Sequence, residues 1–323
     1  MSTVDLAKIT NALAWVGSRA KIETSLRAVL GTLPERKEEP QVKTADEFDG
    51  PGYTRKRINY FVDEWTRISA WLFVPDGRDE APGILCCHRA VRQGKDEPAG
   101  VEGDPNLAFA RHYAELGYVT LAPDCITAGD RVSSRLQAYD SSLFYKDHPK
   151  MSLLGKMLTD HMRAIDAFGE VGKVDTARIG VVGHGLGATN ALLLAALDDR
   201  ILACVASCGF SRFEKDKEAG RWARDEGMVL WPGMRTHIKE GEFPFDWEHV
   251  LALAAPSAIM VMTALDEAEG SNPQSCQQAV KRAAKVYELL GAGGAIDHHT
   301  HGGGAPMAPD GLEVSDDWFE RWL

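Results

Sequence analysis

Along this chain, apolar residues gather into short continuous runs separated by longer stretches with helical periodicity. "GILCCH" (83–88) is apolar almost throughout, as expected of a central strand buried on both faces. "YVTLAPD" (118–124), "ARIGVVG" (177–183), "ILACVAS" (201–207) and "SAIMVMTA" (257–264) share that character. Two earlier runs, "RKRINYFV" (55–62) and "RISAWLFVP" (67–75), read as strands joined by a polar turn at Asp63 and Glu64. Helical patterns fall near 104–116, 150–170, 186–197, 273–290 and 312–323, with a short strand near 294–298. This alternation predicts an α/β protein with a mostly parallel central sheet and helices on both faces.

Val4, Leu6, Ile9, Leu13, Val16, Ile22, Leu26 and Leu30 recur at roughly helical spacing, so one or two amphipathic helices are expected to pack on the domain. The polar, Pro- and Gly-punctuated stretch 33–52 reads as a connection. Residues 1–50 are therefore expected to form an extension with its linker, and 51–323 the main domain. Residues 210–250 break the rhythm with Trp222, Trp231, Trp247, Pro232 and many charges. They are expected to form a cap-like insertion over one end of the sheet, with tryptophans either lining a pocket or, as an equal reading for any one of them, packing hydrophobically within a surface excursion.

Composition narrows the partners. The chain has 323 residues and a net charge of −11, with no basic stripe to attract nucleic acid or an anionic membrane. A small-molecule ligand is the expected partner. The six cysteines lack C-x-x-C spacing, and several lie inside apolar runs, which fits reduced thiols in a cytoplasmic protein. No signal-peptide pattern and no run of about 18 apolar residues is evident.

The chemistry concentrates in "RIGVVGHGLGATNALLLAA" (178–196): a buried strand, a Gly-rich turn, then an apolar helix. Such a turn exposes its middle residue, here Gly185, and aims the first helix amides at the same spot, where an oxyanion can be held. The spacing G-H-G-L-G-A is not that of a dinucleotide-binding loop, so no cofactor is expected. Asp266 follows the strand 257–264, and "IDHHTHGGG" places His298, His299 and His301 past the next strand. An acid followed by a histidine, in that chain order, is what a nucleophile elbow requires. The competing readings are a solvated acid beside Glu267 and Glu269, and a metal site formed by the three histidines with Asp297.

With these residues, the chain resembles the dienelactone-hydrolase and acetyl-xylan-esterase-like branch of the α/β-hydrolase superfamily. The matching segments are "PGILCCH…GKDEPAG" (82–100), "GYVTLAPD" (117–124), "VDTARIGVVGHGLGATNALLLAALDDRI" (174–201) and "SCGF" (207–210), with the closing acid, histidine loop and helix. The resemblance runs over roughly 55–323 and implies the α/β-hydrolase fold and an esterase ancestry. It also implies Asp266 as the orienting acid, His301 as the base with His299 as its rival, and His88 and Arg89 flanking an oxyanion pocket. The oxyanion donors would be the amides of Arg89 and Leu186. A purely structural role for His88 is an equal reading.

The branch normally carries serine after His184. This chain has Gly185 there, and departs again at Ala188. Glycine cannot form an acyl-enzyme, His184 is expected to point away from the turn, and Cys86 and Cys87 lie in a buried strand. Three readings stay open: a His301–Asp266 general-base pair acting on a water, a binding protein that keeps the pocket, and an esterase whose nucleophile has been removed by substitution. In each, the ligand is expected to be a carboxylic ester or related carbonyl compound.

Overall fold

The computed structural model describes residues 3–34, 39–62, 66–266, 270–302 and 309–323. The turn expected at Asp63 and Glu64, and the neighbours Glu267 and Glu269 of Asp266, lie outside the described residues.

A single twisted sheet is built from β1 (Lys43–Gly50), β2 (Tyr53–Phe61), β3 (Arg67–Pro75), β4 (Ala81–Cys87), β5 (Val119–Pro123), β6 (Val174–His184), β7 (Ile201–Ser207), β8 (Ala258–Ala264) and β9 (Ile296–His301). Its order is β1-β2-β3-β5-β4-β6-β7-β8-β9. The first three strands and β5 pair antiparallel, and β5, β4, β6, β7, β8 and β9 run parallel. Strands β4, β5 and β8 are buried along their whole length, which is why they read as continuous apolar runs.

Two differences from the sequence expectations concern the ends of the sheet. Lys43–Gly50, placed by its polarity in a connection, is strand β1, paired with β2 and exposed along almost its whole length. With neither face buried, it carries no hydrophobic alternation to read. The last strand is Ile296–His301, displaced from the expected 294–298, so the histidines stand within it rather than past it.

The helices are α1 (Ala12–Leu30), α2 (Phe109–Glu115), α3 (Ser142–Asp147), α4 (Leu153–Val171), α5 (Leu186–Leu197), α6 (Arg235–Glu240), α7 (Trp247–Leu253), α8 (Pro273–Leu289) and α9 (Pro309–Trp322). A Cβ at Gly183 would strike Gly187 of α5, whereas one at Gly180 would meet Phe319 of α9 at 2.7 Å. Residues an odd number apart on a strand face opposite ways, so α5 and α9 cover opposite faces of the sheet. Helices α4, α7 and α8 lie on the α5 side, and α2 joins α9 through Tyr113 against Phe319.

Helix α1 buries Trp15, Ile22, Leu26, Val29 and Leu30 and packs on α7 and on the turn before α6. The N-terminal extension thus lies against the insertion. Trp222, Trp231 and Trp247 are buried among Phe213, Phe243 and Phe245 in one aromatic cluster. The expectation that they line a pocket is corrected: Trp231 and Trp247 have no exposed surface at all. Aromatic area of this size is more favourably buried against itself than held open to water.

Candidate active site

The turn from β6 into α5 is abrupt. His184 ends the strand, Leu186 begins the helix, and Gly185 between them adopts φ 55° and ψ −120°. L-residues seldom occupy that region, and glycine enters it freely. The flanking glycines have a packing cause. A Cβ at Gly187 would collide with the Cys87 carbonyl, and one at Gly183 with the Gly187 backbone. The end of β4 is therefore pressed against the first turn of α5. Ala188 is accommodated in turn by Gly209, where any Cβ would stand 2.7 Å from that of Ala188. The Gly185 amide donates to the Ser207 carbonyl at 2.8 Å, which ties the turn to β7.

Strand pairing sets His184, Ser207, Met262 and His299 side by side in one row. His301, two residues beyond His299 and opposite Ala264, shares their face. The start of α9 covers them, since a Cβ at Gly311 would touch Met262 and the His301 ring. His301 is fully buried, and neither ring nitrogen has a hydrogen-bond partner among the described residues. Burial lowers its pKa from the ordinary 6.5, against the opposing pulls of the Asp310 carboxylate and of the Gly302 backbone next to the ring. The His299 Nε2 is likewise buried without a partner among the described residues.

His298 points to the other face and meets the Thr263 hydroxyl at 2.9 Å. Strand alternation thus divides the three histidines. Among the described residues, no group of three ligating side chains is placed to hold a metal ion.

His184 is buried, with Nδ1 3.0 Å from the Ser207 hydroxyl. Burial depresses it to about 3, with further contributions from the Arg89 guanidinium and His301. Arg89, His184 and His301 therefore occupy one neighbourhood around the turn. Asp266 stands one residue past Leu265, whose amide donates to the His301 carbonyl at 3.0 Å. The chain brings it to the carboxyl end of β8, the same end of the sheet as the Gly185 turn. Its side chain is nevertheless exposed and makes no hydrogen bond to His299 or His301 among the described residues.

His88 and Arg89 leave β4 beside the turn. The His88 Nε2 accepts from the Cys125 amide at 3.0 Å, and Nδ1 donates to the Arg89 carbonyl at 2.7 Å. Both ring nitrogens are occupied in holding the loop, and burial lowers the pKa so that the ring stays neutral. The Arg89 guanidinium is gripped by the buried Glu97 through Nε and Nη2, both at 3.1 Å. Glu97 lies in the "GKDEPAG" segment, but sequence reasoning assigned it no role of its own. Leu186 offers the first amide of α5, which has no intrahelical acceptor.

Parallel sheet, helices on both faces and a strained strand-to-helix turn at the carboxyl ends of the strands define an α/β-hydrolase fold. Residues 68–221, which carry the turn, match the model of the dienelactone hydrolase family. The chain is 35% identical over 138 residues to the Bacillus subtilis (strain 168) protein YtaP, described as a hydrolase, covering 39% of this chain and 43% of that one. It is 26% identical over 139 residues to carbohydrate esterase MZ0003 of an unknown prokaryotic organism, covering 41% and 32%. Less than half of either relative's length is thus spanned. A glucuronoyl esterase from Solibacter usitatus superposes with a TM-score of 0.77 over 97% of this chain and 94% of that one, at 18% identity. At that identity the likeness speaks for the fold. No helix among the described residues is long and apolar enough to cross a membrane.

Proposed function

We propose that this protein hydrolyses a carboxylic ester or closely related carbonyl compound without a covalent intermediate, through His301 acting as a general base. The observation that carries the reading is a buried imidazole with both nitrogens unpartnered among the described residues, within electrostatic reach of His184 in an α/β-hydrolase turn whose tip is glycine. Gly185 stands where the family resemblance implies a serine, so a water can take the place of the side-chain hydroxyl. His301 removes a proton from that water as its oxygen attacks the carbonyl carbon. The amides of Arg89 and Leu186 are the candidate donors to the resulting oxyanion. Collapse of the tetrahedral species expels the alcohol oxygen, which takes the proton back from His301. No cofactor enters this scheme. The named carbohydrate esterase and glucuronoyl esterase among the similar proteins support sugar-linked esters as the first substrates to try.

The test compares the native chain with His301→Ala on p-nitrophenyl acetate, acetylated xylosides and a methyl glucuronate ester. Turnover above buffer that vanishes in His301→Ala supports the reading, and equal rates for both proteins sink it. One observation favours a second reading, a binding protein built on the same turn: the exposed Asp266 does not orient His301. Saturable binding of an ester, with no turnover by either protein, would select it.

A further inference from the structure

The loop between β5 and α3 holds two non-glycine residues in the left-handed region, Thr127 at φ 68° and Tyr139 at φ 64°. They are joined to each other, since the Tyr139 amide donates to the Thr127 carbonyl at 2.9 Å. Bulky residues persist in such backbone states only where surrounding structure over-determines them, which makes the Tyr139 side chain the place to look. It is buried and runs inward to the end of β4. Its hydroxyl lies 3.0 Å from the Arg89 carbonyl, 3.3 Å from the Val91 carbonyl and 3.3 Å from the His88 Nδ1. Burial pushes the phenol pKa well up, so the group remains a donor at every working pH.

The Arg89 carbonyl is then the meeting point of three donors. The His88 Nδ1–H reaches it at 2.7 Å, the Tyr139 hydroxyl at 3.0 Å and the Val91 amide at 2.8 Å. His88 is fixed from behind by the Cys125 amide at the end of β5. Because Nε2 accepts that bond, the proton must sit on Nδ1, and His88 and Tyr139 both aim a proton at the same oxygen. A peptide unit is planar and trans, so fixing this carbonyl also fixes the Ala90 N–H on the opposite side of the plane, and it anchors the residue whose own amide, that of Arg89, is the candidate oxyanion donor. The neighbouring backbone is in contact with the turn, because the Cys87 and His88 carbonyls are what exclude a Cβ from Gly187.

We propose that Tyr139 is a positioning residue: with His88, it clamps the Arg89 carbonyl and so sets the amides at the end of β4 against the Gly185 turn. The clamp gives a role to a strained loop residue that touches neither His301 nor Asp266. Its catalytic consequence rests on the ester-hydrolysis reading above, whereas its structural consequence does not. The two can therefore fail separately.

The experiment uses the full chain with Tyr139→Phe, which keeps the ring and removes the donor, and with His88→Gln as a second variant. Amide hydrogen exchange of a peptide covering 88–92 reads the clamp directly. Exchange there should be at least about ten-fold faster in Tyr139→Phe, with peptides from α5 and α9 unchanged. Ester turnover reads the consequence: kcat should fall ten-fold or more with KM within two-fold, since the amides act on the transition state and not on the bound ester. A merely structural tyrosine would lower thermal stability and leave that kcat-against-KM split absent. Unchanged exchange at 88–92 in both variants overturns the clamp. Faster exchange with kcat and KM both unaltered overturns its link to the reacting carbonyl. If the native chain shows no turnover, the exchange arm alone decides the clamp, and the ester-hydrolysis reading is what has failed.

Discussion

Gly185→Ser is the most informative single change, because the structure sets both its cost and its gain. The turn backbone at φ 55° and ψ −120° is open to glycine and strained for serine. Such strain costs about 1–3 kcal/mol, which in a domain of this size lowers Tm by roughly 2–4 °C for each kcal/mol. The gain follows from what the hydroxyl would find. His301 is buried, neutral and unpartnered among the described residues, and so ready to accept a proton, but Asp266 does not hold it. In subtilisin, loss of the nucleophile costs about 10⁶ in kcat and loss of the orienting aspartate about 10⁴. A site that gains the first while still lacking the second should improve by about 10². The assay is a stopped-flow burst of nitrophenolate from p-nitrophenyl acetate, with the acetyl adduct located on the introduced hydroxyl by peptide mass spectrometry. Addition of His301→Ala should abolish both burst and adduct. A folded serine variant with no adduct and unchanged turnover would refute the argument, because it would mean that His301 or the amide donors cannot serve a nucleophile at this position.

The remaining expectations concern the base and the insertion. Activity of the native chain should need the unprotonated His301, so it should be lost as pH falls through the His301 pKa and stay level above it. Because burial lowers that pKa, the midpoint of the acid limb should lie below 6.5, and Asp310→Asn should move it lower still by removing the carboxylate that opposes the shift. A limb centred above 6.5 would exclude His301 as the base. Trp231→Ala should cost about 3–5 kcal/mol in urea denaturation, the range for deleting a buried large side chain, and leave KM for esters unchanged. A raised KM with unaltered stability would return the tryptophans to the pocket wall.

How much of this could be read from the residues depends on what each one packs against. Strands β4, β5, β6, β7 and β8 were legible because burial on both faces leaves nothing but apolar residues in "GILCC" or little else in "AIMVMTA". The turn at Gly185 was legible because close approach admits only glycine at 183 and 187. Strand β1 was not, since "KTADEFDG" owes its conformation to the backbone of β2 and buries almost nothing. The histidines of β9 were found as a cluster, but their separation onto two faces depends on a strand register that composition does not reveal. Chain order placed Asp266 just past β8, where it is found, yet the reach of its side chain is a matter of loop geometry. Tyr139 carried no signal, because it acts through a single side chain on a segment about fifty residues away, and Glu97 lay in a quoted segment without its contact to Arg89 being legible.

The exposed first strand has a consequence for how these molecules meet one another. An edge strand presents unpaired amides and carbonyls to any passing chain, and a flat apolar edge would invite a second sheet to continue the first. Here the outermost strand carries Lys43, Asp46, Glu47 and Asp49, and its pairing with β2 slips between Thr44 and Asp46. A second copy laid edge to edge would have to seat these charged side chains, Asp46 and Glu47 already paired with Arg57 and Lys56 of β2, across a ladder interrupted by that irregularity. The strand that the apolar pattern could not foresee is thus the one whose polarity keeps the sheet from growing past its own boundary.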